Sequence, residues 1–265
     1  MFPAPHDLSC PAASPGSPVQ VEVVEVGTMD ADWKFVQNDG RSGPVSMVMR
    51  VGVIHHPEGT ILVDAAQGQA TRDGKWPGFP VSAKSQHIPE GSALHERGLN
   101  PKKVLLTHGH YDHIGGLVDL PGVEVCLTPN EWIYLHSGAL GAGAVLRADL
   151  SWKPVLPNGQ VLDRPATDVM GDGTVWLIST PGHTPGSASV LVRAADGPWL
   201  FVGDTAWVDN HLVDTERPWL VSTLLDSNHK QYLESLEWAR TLKARCPNLR
   251  VVTGHDPTPF VPPAN

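Results

Sequence analysis

The stretch LLTHGHYDHIGG, residues 105–116, sets His108, His110, Asp112 and His113 within six positions. Neither a packed core nor a solvated surface has a use for so many ligand-type side chains in one turn. The short i, i+2 spacing lets His108 and His110 point to one side, leaving Asp112 and His113 to face another. One zinc takes about four ligands, so four in one loop, with more elsewhere, suggest two metals. Gly115 and Gly116, which follow, permit close approach of a neighbouring backbone.

Working outward, three further candidates each sit just past an apolar run. His183 lies in TPGHTPGS (180–187), Asp204 in LFVGDT (200–205) and His255 in VVTGHD (251–256). Sheets gather functional groups at converging strand ends, and these positions fit that rule. Asp64, in ILVDAA (61–66), ends a strand in the same way. His55, His56, His95, His136, His211 and His229 are read as structural or solvent-facing, and His87 as a loop residue within reach of substrate.

The rest of the chain predicts many short strands with interspersed helices. VQVEVVEVG (19–27) alternates as a strand should, and residues 45–56 and 60–66 form a hairpin across PEG. Residues 67–90 are polar and rich in Gly and Pro, the mark of a long functional loop. A short helix is expected over 92–99, and a buried strand over 102–108 delivers the opening motif. Thr128 reads as an N-cap, with Pro129 at the first helical position and Glu131 closing a capping box. Strands follow at 174–180, 187–193 and 198–204. Residues 227–246 read as an amphipathic helix with Leu233, Leu236 and Leu242 inward, and 249–255 as the last strand. We expect a loose arm over residues 1–18 and one domain over residues 19–265, a two-layer sheet sandwich flanked by helices.

Composition bounds the function. The 265-residue chain carries 25 Pro, 26 Gly and a formal net charge of −9. That field disfavours nucleic acid and anionic membrane surfaces. No run of 18 apolar residues exists, so no membrane span is expected. The three cysteines, Cys10, Cys126 and Cys246, form no C-x-x-C pair, which argues against a thiolate metal site. Their odd number suggests no disulfide framework and a cytoplasmic setting. The opening residues lack the apolar core of a signal peptide, and a leader trimmed upstream stays open.

The H-x-H-x-D-H motif followed in order by His183, Asp204 and His255 resembles the metallo-β-lactamase superfamily, over about Val21 to Asp256. The resemblance implies an α/β fold of the four-layer αββα kind. It implies that His108, His110 and His183 hold one Zn2+ and Asp112, His113 and His255 a second, with Fe, Mn or Co as alternatives. Asp204 would bridge both, and Asp64 would support the ligands from behind. A hydroxide between the metals would be the nucleophile, since two cations lower the pKa of water from about 15.7 towards roughly 7. Asp112 could shuttle the proton.

Asp204 stands where the commonest zinc β-lactamases carry cysteine, which disfavours penicillin-type substrates. LVDAAQGQATRDGKWPG, HERGLNPKKVLLTHGHYDHIGGL and STPGHTPGSASVLV are similar to segments of quorum-quenching lactonases that open N-acyl homoserine lactones. A small-molecule lactone is therefore the expected substrate. Glyoxalase-II-type thioesterase, phosphodiesterase and single-iron sulfur dioxygenase are the alternatives, and a homodimer is compatible with the sequence. The lactonases carry a tyrosine three residues beyond the bridging Asp; here that position is Trp207. Its N–H could donate to an oxyanion but could not act as an acid. Trp33, Trp76, Trp207 and Trp219 fall in or near predicted loops, where rings could line an apolar pocket with His87.

Overall fold

The alternation of Ile61, Leu62 and Val63 shows how the layers arise. Ile61 and Val63 join one buried cluster, with Leu105, Cys126, Val190, Val192, Phe201 and Val252. Leu62 faces the other way, into a cluster with Val104, Val125, Ile114, Leu117 and Leu135. Successive side chains of a strand point to opposite faces, so a strand apolar at every position must be covered on both sides. Leu191, Leu200 and Val251 do the same from the second sheet. They pack on Tyr232, Leu236, Ala239 and Leu242 of a long helix. The result is helix, sheet, sheet, helix, as expected. Each fully buried Leu or Val here contributes about 1.5–3 kcal/mol.

A computed structural model describes residues 9–12, 16–73, 86–138, 145–146 and 148–260. The first sheet contains β1 (Gln20–Asp32), β2 (Pro44–His56), β3 (Gly59–Val63), β4 (Gln86–His87), β5 (Lys103–Leu105), β6 (Glu124–Leu127) and β7 (Ser151–Pro154), in the order β4-β1-β2-β3-β5-β6-β7. The second contains β8 (Gly159–Val161), β9 (Arg164–Asp168), β10 (Val175–Ser179), β11 (Ala188–Ala194), β12 (Gly197–Phe201) and β13 (Arg250–Val252), in the order β13-β12-β11-β10-β9-β8. β3 and β5 are parallel, as are β12 and β13. β10 and β12 each pair antiparallel with β11 and so point the same way. The C-terminal ends of β3, β5, β10, β12 and β13 therefore collect at one edge of the sandwich.

Several expectations are corrected. The segment 92–99 makes only a 3-10 turn, Leu94–Arg97, closed by Gly98 in the left-handed region. The strand expected over 60–66 stops at Val63, because Asp64 and Ala66 take positive φ of 64° and 49° and leave the sheet. WLVSTLL (219–225), to which the sequence assigns no element beyond placing Trp219 in or near a loop, is a helix. Of the long loop, residues 74–85, with Trp76, lie outside the described residues.

The cysteine reading is overturned. Cys10 is disulfide-bonded to Cys246 at a Cα–Cα distance of 5.4 Å, which ties the N-terminal segment to the end of the long helix His229–Arg245. An odd count leaves one thiol over without forbidding a pair among the rest. The remaining thiol, Cys126, is buried between the sheets, and burial with the Glu124 carboxylate nearby pushes its pKa up to about 12. Among the described residues no helix is long and apolar enough to cross a membrane.

Candidate metal centre

The loop after β5 turns into a single helical turn, Tyr111–Ile114, which splits the motif as its spacing suggests. His108 and His110 precede the turn; Asp112 and His113 lie within it. Gly116 lets the following 3-10 turn lie against the loop after β3, since a Cβ there would meet the Ala65 carbonyl oxygen at 2.2 Å. Gly203, at φ +50°, brings the loop after β12 down onto Thr107, and only glycine takes that conformation freely.

All seven predicted ligand-type side chains come together, in two groups. His108, His110, His183 and Asp204 form one; Asp112, His113 and His255 form the other. Asp204 spans them. Its Oδ1 lies 3.1 Å from His113 Nε2 and 3.0 Å from His255 Nε2, while its Oδ2 lies 3.2 Å from His183 Nε2. Asp112 Oδ2 lies 3.4 Å from His255 Nε2.

Hydrogen bonds at the back of the rings fix which nitrogen faces inward. Asp64 Oδ2 accepts from His113 Nδ1 at 2.8 Å, the Val48 carbonyl from His255 Nδ1 at 3.0 Å, and Asp226 Oδ1 from His183 Nδ1 at 2.9 Å. His110 Nε2 lies 3.1 Å from the Tyr134 hydroxyl, which leaves Nδ1 facing His183 Nε2 at 2.9 Å. Once one imidazole nitrogen donates outward, the other presents a lone pair. Inward lone pairs then face one another, as at His113 Nε2 and His255 Nε2, 3.3 Å apart. His108 Nε2 and Asp204 Oδ1 are buried without a hydrogen-bond partner. Buried polar atoms rarely go unsatisfied, and a set of N and O donors all lacking protons fits divalent cations.

Electrostatics agree for His108 and His110, while on His113 the surrounding carboxylates favour a proton that a cation would displace. Burial, aided by neighbouring histidines, holds His108 and His110 well below the usual imidazole range, so both are neutral as ligation requires. Burial also opposes charge on His113, but the carboxylates of Asp204, Asp64 and Asp112 outweigh it and hold its pKa well above the ordinary value. Burial would raise Asp204; ringed by His255, His113 and His108, it is held well below the carboxylate range.

Three supporting residues are not evident from the sequence. Glu131 does not reach back to its N-cap. Thr128 accepts from the Glu131 backbone N–H as predicted, but the Glu131 carboxylate accepts from Gly109 N–H at 2.6 Å, Gly186 N–H at 3.1 Å and the Thr184 hydroxyl at 2.5 Å. It thus ties the loop of His108 and His110 to that of His183, and burial pushes its pKa up to about 7. Asp226 and Arg217, beside His183, are the other two. The capping-box pattern singled out Glu131 but not its partners; nothing local marked the others.

Of the pocket candidates, Trp207 donates its indole N–H to Asp204 Oδ2 at 2.7 Å. His87 Nε2 pairs with Asp30 Oδ2 at 2.9 Å, away from both groups. Trp33 packs beside Trp207 on a small cluster with Val36 and Met47. Trp219 is 69% exposed.

Comparison with known proteins gives a consistent picture. Residues 49–255 match the family described as the metallo-beta-lactamase superfamily. The chain is 29% identical over 239 residues to N-acyl homoserine lactonase AttM of Azorhizobium caulinodans, covering 83% of this chain and 86% of that protein. It is 32% identical over 183 residues to the probable metallo-hydrolase YqgX of Bacillus subtilis, covering 63% and 79%. Among solved structures, an N-acyl homoserine lactone hydrolase with N-hexanoyl-L-homoserine at its catalytic metal centre superposes with TM-score 0.71 at 19% identity, covering 89% and 92%. The dizinc quorum-quenching lactonase AidC gives 0.64 at 16%, covering 96% and 93%.

Proposed function

The chain belongs to the metallo-β-lactamase superfamily, and from that premise we propose that it is a two-metal hydrolase that opens a lactone, an N-acyl homoserine lactone or a close relative. The observation that carries this reading is Asp204, whose two carboxylate oxygens each face one of the two candidate groups. His108, His110 and His183 would hold one cation and Asp112, His113 and His255 the other, with zinc favoured by the nitrogen-rich donor set. Bound there, two divalent cations supply Lewis acidity towards an ester oxygen and a coordinated water acidified towards neutral pH.

The chain's own residues do the rest. Asp64, Asp226, Tyr134 and the Val48 carbonyl orient the imidazoles. Asp112 Oδ2, directed at the second group, is placed to take a proton and return it to the leaving alkoxide. Trp207 has its only side-chain donor committed to Asp204, so it holds a ligand and leaves oxyanion stabilisation to others. The helix Trp219–Leu225 supports an acylated substrate: Arg217 before it and Asp226 after it both reach His183, while Trp219, Leu220 and Leu224 are 69%, 61% and 75% exposed. An alkyl chain laid on that helix would cover surface that water otherwise wets.

A panel of acyl homoserine lactones, thioesters, phosphodiesters and β-lactams, assayed on zinc-loaded protein with its metal content measured, tests the reading. Lactones turn over, faster in kcat/KM as the acyl chain lengthens. Turnover of phosphodiesters or thioesters alone, or a single iron with oxygen uptake on a persulfide, sinks it. The Cys10–Cys246 bond favours an oxidising compartment over the cytoplasm.

A further inference from the structure

Arg217 is 1% exposed, although a guanidinium taken from water is costly unless its charge and donors are met. It lies between two rings, 4.6 Å from the centroid of Trp207 and 4.1 Å from that of Tyr232. Its Nη2 donates to Asp226 Oδ1 at 2.6 Å, in an ion pair with both side chains fully buried, and its Nη1 sits 3.2 Å from His183 Nδ1. A residue needed only to fill this volume would be leucine or methionine.

Its contacts lead to the candidate centre by two routes. Asp226 Oδ1, fixed by Arg217, accepts from His183 Nδ1 and so turns His183 Nε2 inward. The Trp207 ring, with the guanidinium carbon over it at 4.6 Å, aims its N–H at Asp204 Oδ2. His183 and Asp204 belong to the same group. In the other group, His113 is oriented by Asp64 and His255 by the Val48 carbonyl.

We propose that Arg217 is a positioning residue for the group His108, His110, His183 and Asp204, acting on His183 through Asp226 and on Asp204 Oδ2 through Trp207. The proposal rests on the two-metal reading and adds that the first site has a support of its own, which reaches the second only through the shared Asp204.

Zinc affinity measured by chelator competition decides it, in two backgrounds. In His255→Ala only the Arg217-supported group is complete; in His183→Ala only Asp112, His113 and His255 are, with Asp204 still facing them. Adding Trp207→Phe, which keeps an aromatic ring beside Arg217 but removes the N–H and one ring of the indole, or Arg217→Met, should weaken zinc about ten- to a hundredfold in the first background and by no more than about threefold in the second, where only the shared Asp204 carries the effect. Equal weakening in both, or none in the first, overturns the proposal. Wild-type protein binding fewer than two equivalents overturns the two-metal reading instead. If Arg217→Met loses its native circular dichroism, Trp207→Phe alone decides between these outcomes.

Discussion

His211 shows what a single buried ring does to the pH range of this molecule. Its Nε2 donates to the Val36 carbonyl at 3.0 Å and its Nδ1 accepts from the Trp207 backbone N–H at 3.3 Å, so the neutral form is fully satisfied. Burial, with the Arg217 charge nearby, lowers its pKa to about 3. The unfolded chain, with an imidazole near 6.5, takes up the proton first as pH falls. Stability from this residue is therefore complete above about pH 6.5 and is lost progressively towards pH 3, up to about 5 kcal/mol in all. In chelator-treated protein, so that metal loss does not enter, urea midpoints between pH 7 and pH 4 should fall less steeply for His211→Gln than for wild type. Equal slopes would refute this. The seven clustered side chains were legible because each stands at a strand end in a short marked motif. Arg217 and Asp226 were not: what distinguishes them is a neighbour 34 or 43 positions away.

At the scale of elements, the helix Pro129–His136 is a bracket as much as a layer. Glu131, in its first turn, takes donors from two loops that belong to different sheets. Glu131→Gln replaces one acceptor oxygen with an amide that cannot accept, stranding a buried backbone N–H at a cost of about 1–3 kcal/mol. The variant should melt several degrees lower and lose zinc faster to a chelator; an unchanged melting temperature and zinc off-rate would assign Glu131 no bracing role. The helix itself was legible from Thr128 and Pro129, but the target of Glu131 was not, since a capping box and a long-range tie begin with the same residues. The helix Trp219–Leu225 was missed for another reason. Its apolar residues follow no 3.6 period, because only Ser222 is fully buried.

For the whole molecule, the order of strands and turns revealed the four layers, since strands apolar at every position need cover on both faces. The disulfide lay beyond that logic. Cys10 and Cys246 are 236 positions apart, and only the folded path of the chain brings them together. Thiol titration of the protein unfolded without reductant should find one thiol per chain, Cys126; three would mean the bond is absent. Cys10→Ser should cost about 2–4 kcal/mol in unfolding free energy.

Each candidate group draws on both sheets. His108 and His110 follow β5 of the first sheet and meet His183 and Asp204 from β10 and β12 of the second; Asp112 and His113 meet His255 from β13. A cation in either place would act as a rivet through the open edge of the sandwich, adding to ties such as those from Val48 of β2 to His255 and from Ala188 of β11 to Thr107. Occupancy would then be a mechanical property: an emptied edge would be freer to gape, and a filled one would resist the shearing of one sheet past the other.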